Sequence, residues 1–198
     1  MAARPKRYPK PASGTHRLRI IGGRWRGRRL EFPATEGLRP TSDRVRETLF
    51  NWLAPMIAGA RCLDLFAGSG ALGIEALSRG ADSVVMVDNN TAVVSQLHDH
   101  LATLRANGAQ IIHAGALGYL QTAPEQAFDV VFLDPPYHKN LLAPCCDLLR
   151  RSGWLKPGAY IYLETERDLP LDMLALDWRV VRSKNAGQAS YHLAIKQA

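Results

Sequence analysis

The sequence predicts an α/β fold: a mostly parallel sheet with helices on both faces, a C-terminal antiparallel hairpin and an N-terminal β-hairpin extension. Three observations predict it. From residue 61 on, short apolar runs alternate with longer segments of helical period, the pattern of repeated βα units. A glycine-rich loop, DLFAGSGALGIEA over residues 64–76, joins the first run to the first helix of that series. Ten Lys or Arg and no Asp or Glu stand in residues 1–30, whereas the rest holds fifteen bases against eighteen acids, a net of −3.

The elements follow in order. Residues 1–16 are rich in Pro, Lys and Arg and read as a disordered basic tail. RLRIIGGRWRGRRLEF, residues 17–32, alternates apolar and basic residues around Gly22-Gly23 and Gly27, as a hairpin does; the extension is assigned to 17–38. The main domain is assigned to 39–198. In RPTSDRVRETLFNWLAPM, Thr41, Ser42 or Asp43 can cap a helix on which Val45, Leu49, Trp52 and Leu53 recur at helical spacing. RCLDLF is a strand, ALGIEALSRG a helix ended by Gly80, and SVVMVD the next strand. A helix over 91–106 ends near Asn107-Gly108. QIIHA is a strand, a short helix runs through Tyr119, and FDVVFLD is a fourth strand. Residues 140–151 form a helix and AYIYLET a fifth strand. The last two strands, near 178–183 and 190–196, pair as a hairpin across Gly187.

Composition narrows the function. The 198 residues are 46% apolar, enough for one core, and no apolar run reaches the 18 or so residues of a membrane span. The basic N-terminus has no apolar segment behind it and does not read as a secretory signal. Cys62, Cys145 and Cys146 are badly spaced for metal or disulfides; they are expected to be reduced and buried, in a cytoplasmic protein without metal. A basic arm on a mildly acidic body attracts polyanions. Arg24, Trp25, Arg26 and Arg28 would lie at the hairpin tip and are expected to contact a nucleic acid, RNA by the resemblance given below. Trp25 either stacks on an exposed base or packs against the hairpin's own sheet.

Gly68, Gly70 and Gly73 match G-x-G-x-x-G, so the backbone can turn tightly and approach a ligand; alone, the pattern fits a dinucleotide or a packing turn. Asp64 separates the readings. A pyrophosphate at this helix start would be repelled by a carboxylate. S-adenosylmethionine carries an ammonium and a sulfonium, which a carboxylate attracts. The alternative for Asp64 is a helix cap or a salt bridge. Asp88 ends the next strand, where an acid accepts hydrogen bonds from both ribose hydroxyls of either cofactor. Asn89 is a turn residue or a flank to the adenosine. Phe66, Ala67, Gly68 and Gly70 complete the expected cofactor-binding loop.

VVFLDPPYHKN, residues 130–140, ends a core strand in Asp134-Pro135-Pro136-Tyr137. The strand's carboxyl end faces the same cleft. Asp134 accepts from an amino group, Pro135 has a fixed φ and a carbonyl free to accept, and Tyr137 offers a face for a base. These residues suit a planar ligand with an exocyclic NH2. Such an amine is a poor nucleophile because its lone pair is delocalised. Two acceptors on its hydrogens turn that lone pair towards a methyl donor, mainly by positioning and preorganised electrostatics. Asp134 can also take up the released proton. Asp134, Pro135 and Tyr137 are therefore the catalytic candidates.

FAGSG with DPPY resembles the amino-methyltransferases of DNA, RNA and protein glutamine. RIIGGRWRGRRL, LRPTSDRVRETLFNWL, CLDLFAGSGALGIEALSRGA and DPPY together resemble the bacterial RsmD family, over about residues 17–195. The resemblance implies a class I, Rossmann-like methyltransferase domain that takes S-adenosyl-L-methionine. It implies methylation of guanine N2 at one nucleotide of small-subunit (16S) ribosomal RNA, in an assembled or assembling subunit. It also implies that RPTSDRVRE closes over the methionine end, with Arg39, Thr41 and Arg44 as candidates; Arg44 is counted with the RNA-contacting bases too. The family tends to carry Asn or Asp where this chain has Gly115, so the backbone at Ala116 is expected to serve the adenine instead. The expected partner is the small ribosomal subunit, and the enzyme is expected to be a monomer. Two rivals remain. An adenine-N6 DNA methyltransferase shares DPPY but usually needs a target-reading domain, for which this chain has no spare length. A non-catalytic RNA-binding assembly factor would not need Asp64, Asp88 and DPPY together.

Overall fold

The computed structural model describes residues 15–33, 41–167, 169–171 and 177–197. The tail 1–14 and the cofactor candidate Arg39 lie outside the described residues. The chain runs β1 (Thr15–Arg19), β2 (Arg29–Pro33), α1 (Asp43–Leu53), β3 (Arg61–Asp64), α2 (Ala71–Ser78), β4 (Ser83–Asp88), α3 (Thr91–Leu104) and β5 (Ala109–His113). It continues with α4 (Ala116–Leu120), β6 (Phe128–Leu133), α5 (Leu142–Arg151), β7 (Leu155–Glu166), β8 (Trp178–Ala186) and β9 (Ala189–Lys196).

Seven strands form one sheet in the order β5-β4-β3-β6-β7-β9-β8. The first five are parallel; β9 pairs antiparallel with both β7 and β8. Strand order reverses between β3 and β6, and in such sheets the crevice at that switch point takes the ligand. Side-chain alternation splits the core into two layers. Cys62, Val84, Met86, Val130, Phe132 and Tyr162 face one layer, with Leu49, Phe50, Ile74 and Leu97 of α1, α2 and α3. Leu63, Val85, Val87, Val131, Leu133 and Leu163 face the other, with Leu120, Cys145 and Leu149 of α4 and α5. The three cysteines are free and buried.

Local chemistry sets the ends. Of the three cap candidates at α1, Ser42 does the work: its hydroxyl accepts from the Val45 N–H at 3.4 Å. Asn90 caps α3, accepting from Ala92 at 2.9 Å. The left-handed residue that stops α3 is Arg105, at φ 49°, two residues before the expected Asn107-Gly108. The strand expected over AYIYLET begins earlier, at Leu155, because Phe128 of β6 pairs with Leu155 before a register shift.

The two-stranded β1–β2 sheet starts at Thr15, inside the segment read as tail, and Leu18 pairs with Leu30. Its inner side joins the core layer of α1–α3: Leu18, Ile20, Leu30 and Phe32 are at most 3% exposed. Its tip is a 3-10 turn, Gly23–Trp25, set against the end of α2, where the Trp25 N–H donates to Ser78 Oγ at 3.1 Å. The neighbouring loops, at Gly80, Asp82 and Gly108, are those that enter β4 and β5. The tip therefore lies at the amino edge of the sheet. The eight residues of α2, roughly 12 Å of helix, separate it from the glycine loop.

Candidate active site

Four acids stand at the carboxyl edge: Asp64 on β3, Asp88 on β4, Asp134 just after β6 and Glu164 on β7. The glycine loop crosses between the first two. Gly68 and Gly70 have φ of 49° and 79°, the left-handed region that favours glycine. Gly73 is needed for contact: a Cβ there would fall 2.8 Å from Met86 of β4.

Asp64 is 2% exposed. Its Oδ2 accepts the Gly73 N–H of α2 at 2.9 Å. Since the α2 cap residue, Gly70, offers no side chain, an acid from the neighbouring strand caps the helix. The cap alternative is thus realised, and contact with a ligand cation is restricted by burial. Burial pushes the Asp64 carboxyl up to about 7; hydrogen bonds from the Gly73 and Phe66 N–H groups oppose that, and the nearby Asp88 adds to it.

Asp88 braces two loops. Its Oδ2 accepts the Gly68 N–H at 3.0 Å and its Oδ1 the Asn90 N–H at 2.8 Å. A carboxylate has about four acceptor positions, so two remain for ribose hydroxyls. Ala67 donates to the Val87 carbonyl at 3.0 Å and Ala114 to that of Asp88 at 3.0 Å, which draws the glycine loop and the α4 approach to the same strand end. Asn89 is exposed, and its carbonyl lies 3.1 Å from His113 Nε2. His113 is exposed and fastened to this loop. Ala116 is the first residue of α4, and a Cβ on Gly115 would meet nothing within 4 Å. The set fits S-adenosylmethionine: a loop turned tightly by left-handed Gly68 and Gly70, a carboxylate at Asp88 with acceptor positions to spare for a ribose, and acids where a phosphate would be repelled.

The Thr41 hydroxyl donates to Asp134 Oδ2 at 3.1 Å, so a residue from before α1 reaches the Asp134-Pro135-Pro136-Tyr137 loop. Asp134 is half-buried and Pro135 buried, while Tyr137 is 41% exposed. Burial raises the Asp134 carboxyl well above the usual range; the negative Glu164 raises it further, and the Thr41 hydrogen bond opposes both. Tyr137 donates to Glu164 Oε1 at 3.3 Å, and Tyr162 to Glu164 Oε2 at 2.9 Å. Burial and Glu164 push both phenols up.

Sequence reading missed Glu164, although an acid at the carboxyl end of a strand was the signal that found Asp88 and Asp134. Glu75 of α2 forms ion pairs with Arg46 at 3.6 Å and Arg79 at 2.7 Å. Glu75 is 1% exposed and accepts the Ile21 and Gly22 N–H groups at 2.9 and 2.8 Å.

The RNA-contacting candidates gather elsewhere. Arg26 and Arg28 are exposed at the amino edge, and Arg28 donates to the Thr103 carbonyl at 3.2 Å. For Trp25 the packing alternative is realised and the base-stacking one is corrected: it is 8% exposed within the core, and the Arg24 guanidinium lies 4.0 Å from its ring. Arg44 is exposed on the first turn of α1. Among the described residues no group of three or more His, Cys, Asp or Glu is placed to hold a metal, and no helix is long and apolar enough to cross a membrane.

The family model described as Conserved hypothetical protein 95 matches residues 18–195. "Ribosomal RNA small subunit methyltransferase D" of Escherichia coli (strain K12) is 48% identical over 186 residues, 94% of this chain and 93% of that protein. The protein of the same name from Haemophilus influenzae is 49% identical over 179 residues, 89% of this chain and 92% of that one. The solved structure "Putative methyltransferase yhhF from Escherichia coli" superposes with a TM-score of 0.85 at 45% identity, covering 92% of this chain and 99% of the other. With its class I methyltransferase sheet and these likenesses over nearly its whole length, the chain belongs to the RsmD family.

Proposed function

We propose that the chain methylates the exocyclic N2 amine of one guanine in small-subunit ribosomal RNA, with S-adenosylmethionine as donor. The observation that carries this is the meeting of Asp134-Pro135-Pro136-Tyr137 with the braced glycine loop at the switch point of the sheet. The names of the relatives support the RNA class and the small subunit as its setting.

Bound S-adenosylmethionine supplies an electrophilic methyl group. Asp88 holds the ribose, and the backbone from Phe66 to Gly70 receives the cofactor closely. Asp134 and the Pro135 carbonyl accept the two amine hydrogens and orient the nitrogen. Tyr137, exposed beside them, stacks on the base. Methylation leaves the amine with a proton to lose, and a carboxylate whose proton affinity is raised by burial and by Glu164 is suited to take it. Arg26, Arg28 and Arg44 supply phosphate contacts. The enzyme works as a monomer, in the cytoplasm where ribosomes assemble.

The test uses labelled methyl donor with three substrates: undermodified small subunits, naked rRNA and DNA. Label at guanine N2 of the rRNA, located by mass mapping, is expected. Label in adenine of DNA would establish the rival enzyme. No transfer to any of them, with RNA binding retained, would establish an assembly factor.

A further inference from the structure

Leu133 pairs with Leu163 across the parallel strands β6 and β7, so Asp134, just past the end of β6, stands next to Glu164, which stays in β7 opposite Tyr191 of β9. Asp134 faces the amine, whereas Glu164 has so far acted only through its charge on Asp134. Glu164 is half-buried, and among the described residues no Lys, Arg or His forms an ion pair with it. A partly desolvated carboxylate beside another carboxylate is costly unless donors reach it. Two do: the Tyr162 and Tyr137 hydroxyls, one on each oxygen. They fill two of about four acceptor positions. Burial raises the Glu164 carboxyl while these hydroxyls oppose the rise, and its charge acts on Asp134 in turn.

The loop is therefore rich in acceptors. Asp134, the Pro135 carbonyl and Glu164 stand together, and the nearby hydroxyl donors of Thr41, Tyr137 and Tyr162 already point at the carboxylates. A groove of about 460 Å³, within the range of small-ligand sites, opens against Tyr137 between His138, Glu166, Arg167 and Gln188. Its lining reaches Tyr137 of the loop but not Asp134 or Glu164. A base that stacks on Tyr137 and reaches past it to Asp134, the Pro135 carbonyl and Glu164 must bring more than an amine to satisfy them. Guanine does: its ring N1–H lies next to the N2 amine, and both are donors. Adenine presents its amine next to a bare ring nitrogen, whose lone pair would face the Glu164 carboxylate.

We propose that Glu164 is a specificity-determining residue that accepts the N1–H of the target guanine, while Asp134 and the Pro135 carbonyl hold its N2 amine. The proposal rests on the guanine-N2 reading above and adds the group that tells guanine from bases lacking a donor at N1. A site built to accept a hydrogen bond rejects an analogue that lacks the donor, because its own polar group is then left unpaired.

The experiment compares guanine with 2-aminopurine, which keeps the 2-amine but carries a bare N1. Small subunits are reconstituted with one or the other at the nucleotide that the wild-type enzyme modifies, as located by mass mapping. The wild type is expected to prefer guanine by at least about 100-fold in kcat/KM. Glu164→Gln can turn its amide NH2 towards the bare N1, and the preference is expected to shrink at least about tenfold. A purely structural residue would lower both rates and leave their ratio in place. An unchanged ratio in Glu164→Gln overturns the proposal. If that variant does not fold, as read from its cofactor binding and melting, the wild-type ratio decides alone: rates on the two bases within about threefold of each other overturn it. Failure of the underlying reading looks different, since the mass mapping would then find no label at guanine N2 in the wild-type reaction.

Discussion

Arg46 and Glu75 meet inside the protein, Nη1 to Oε2 at 3.6 Å, each side chain at most 1% exposed. Around that pair the N-terminal hairpin is fastened to the main domain. Glu75 accepts from Ile21, Gly22 and Arg79, and Arg46 donates to the carbonyls of Arg19 and Thr41 and to Asp43. Since the Thr41 hydroxyl holds Asp134, an unbroken polar chain runs from the hairpin to the catalytic loop.

Removing one partner takes one ion pair from the other, although Glu75 keeps Arg79 and Arg46 keeps Asp43, and it strands the buried backbone groups that the lost side chain held. Glu75→Ala and Arg46→Met are each expected to cost about 1–3 kcal/mol for each buried group left unsatisfied, and the double replacement by apolar residues less than their sum. Urea denaturation measures this. Single variants within about 1 kcal/mol of wild type would show that the pair does not hold the hairpin.

The two acids at the cleft should separate kinetically. Asp88→Ala removes ribose acceptors and the brace on Gly68, so cofactor affinity falls by about 1.5–3 kcal/mol per lost charge-assisted bond. Asp134→Ala should abolish turnover with cofactor affinity within about tenfold, because its partner is the acceptor amine. Tyr137→Phe keeps the ring and should be milder than Tyr137→Ala. Calorimetry and single-turnover rates together check the split; equal losses in the two Tyr137 variants would place the role in the hydroxyl that Glu164 accepts.

Asp64 gives a pH signature. Its folded pKa of about 7 lies above the unfolded value near 3.8, so the native state binds the extra proton between those limits. Stability from this group is present below pH 4 and is lost as pH rises to about 7. Asp64→Asn keeps an acceptor for the Gly73 N–H without that titration. Its stability relative to wild type should climb from pH 4 to 7 and then level off, by a few kcal/mol at about 1.36 per pKa unit. Urea midpoints against pH test it, and a flat difference would refute the buried titration.

Trp25 and its arginine neighbours should behave oppositely. Trp25→Ala opens a cavity in the core and should cost about 3–5 kcal/mol of stability. Changing Arg24, Arg26 and Arg28 to Glu should spare cofactor binding and flatten the salt dependence of particle binding. Each lost phosphate contact takes about 0.7–0.9 from the log–log slope. An unchanged slope would move RNA recognition to the loops around the cleft.

The strands, the helices and three of the four edge acids were legible in the sequence because each depends on local pattern. Short continuous apolar runs specify buried parallel strands, glycines mark the left-handed turn at Gly68 and Gly70, Asp88 ends β4 and Asp134 follows directly on β6. Strand order, and with it the crevice between β3 and β6, is fixed only by the tertiary structure, since right-handed crossovers prune the possible orders without selecting one. What the tertiary structure alone decided depends on residues far apart in the chain. Glu75 lies 54 residues from Ile21 and Thr41 93 from Asp134, and no periodicity announces such bonds. Glu164 gained its place only through the β6–β7 register, and Trp25 lost its exposure only when the hairpin closed on α2. A buried polar group must find its partner wherever the fold brings one. The sequence states which groups need partners; the packing of the hairpin, α1 and the sheet edge decides which ones they find.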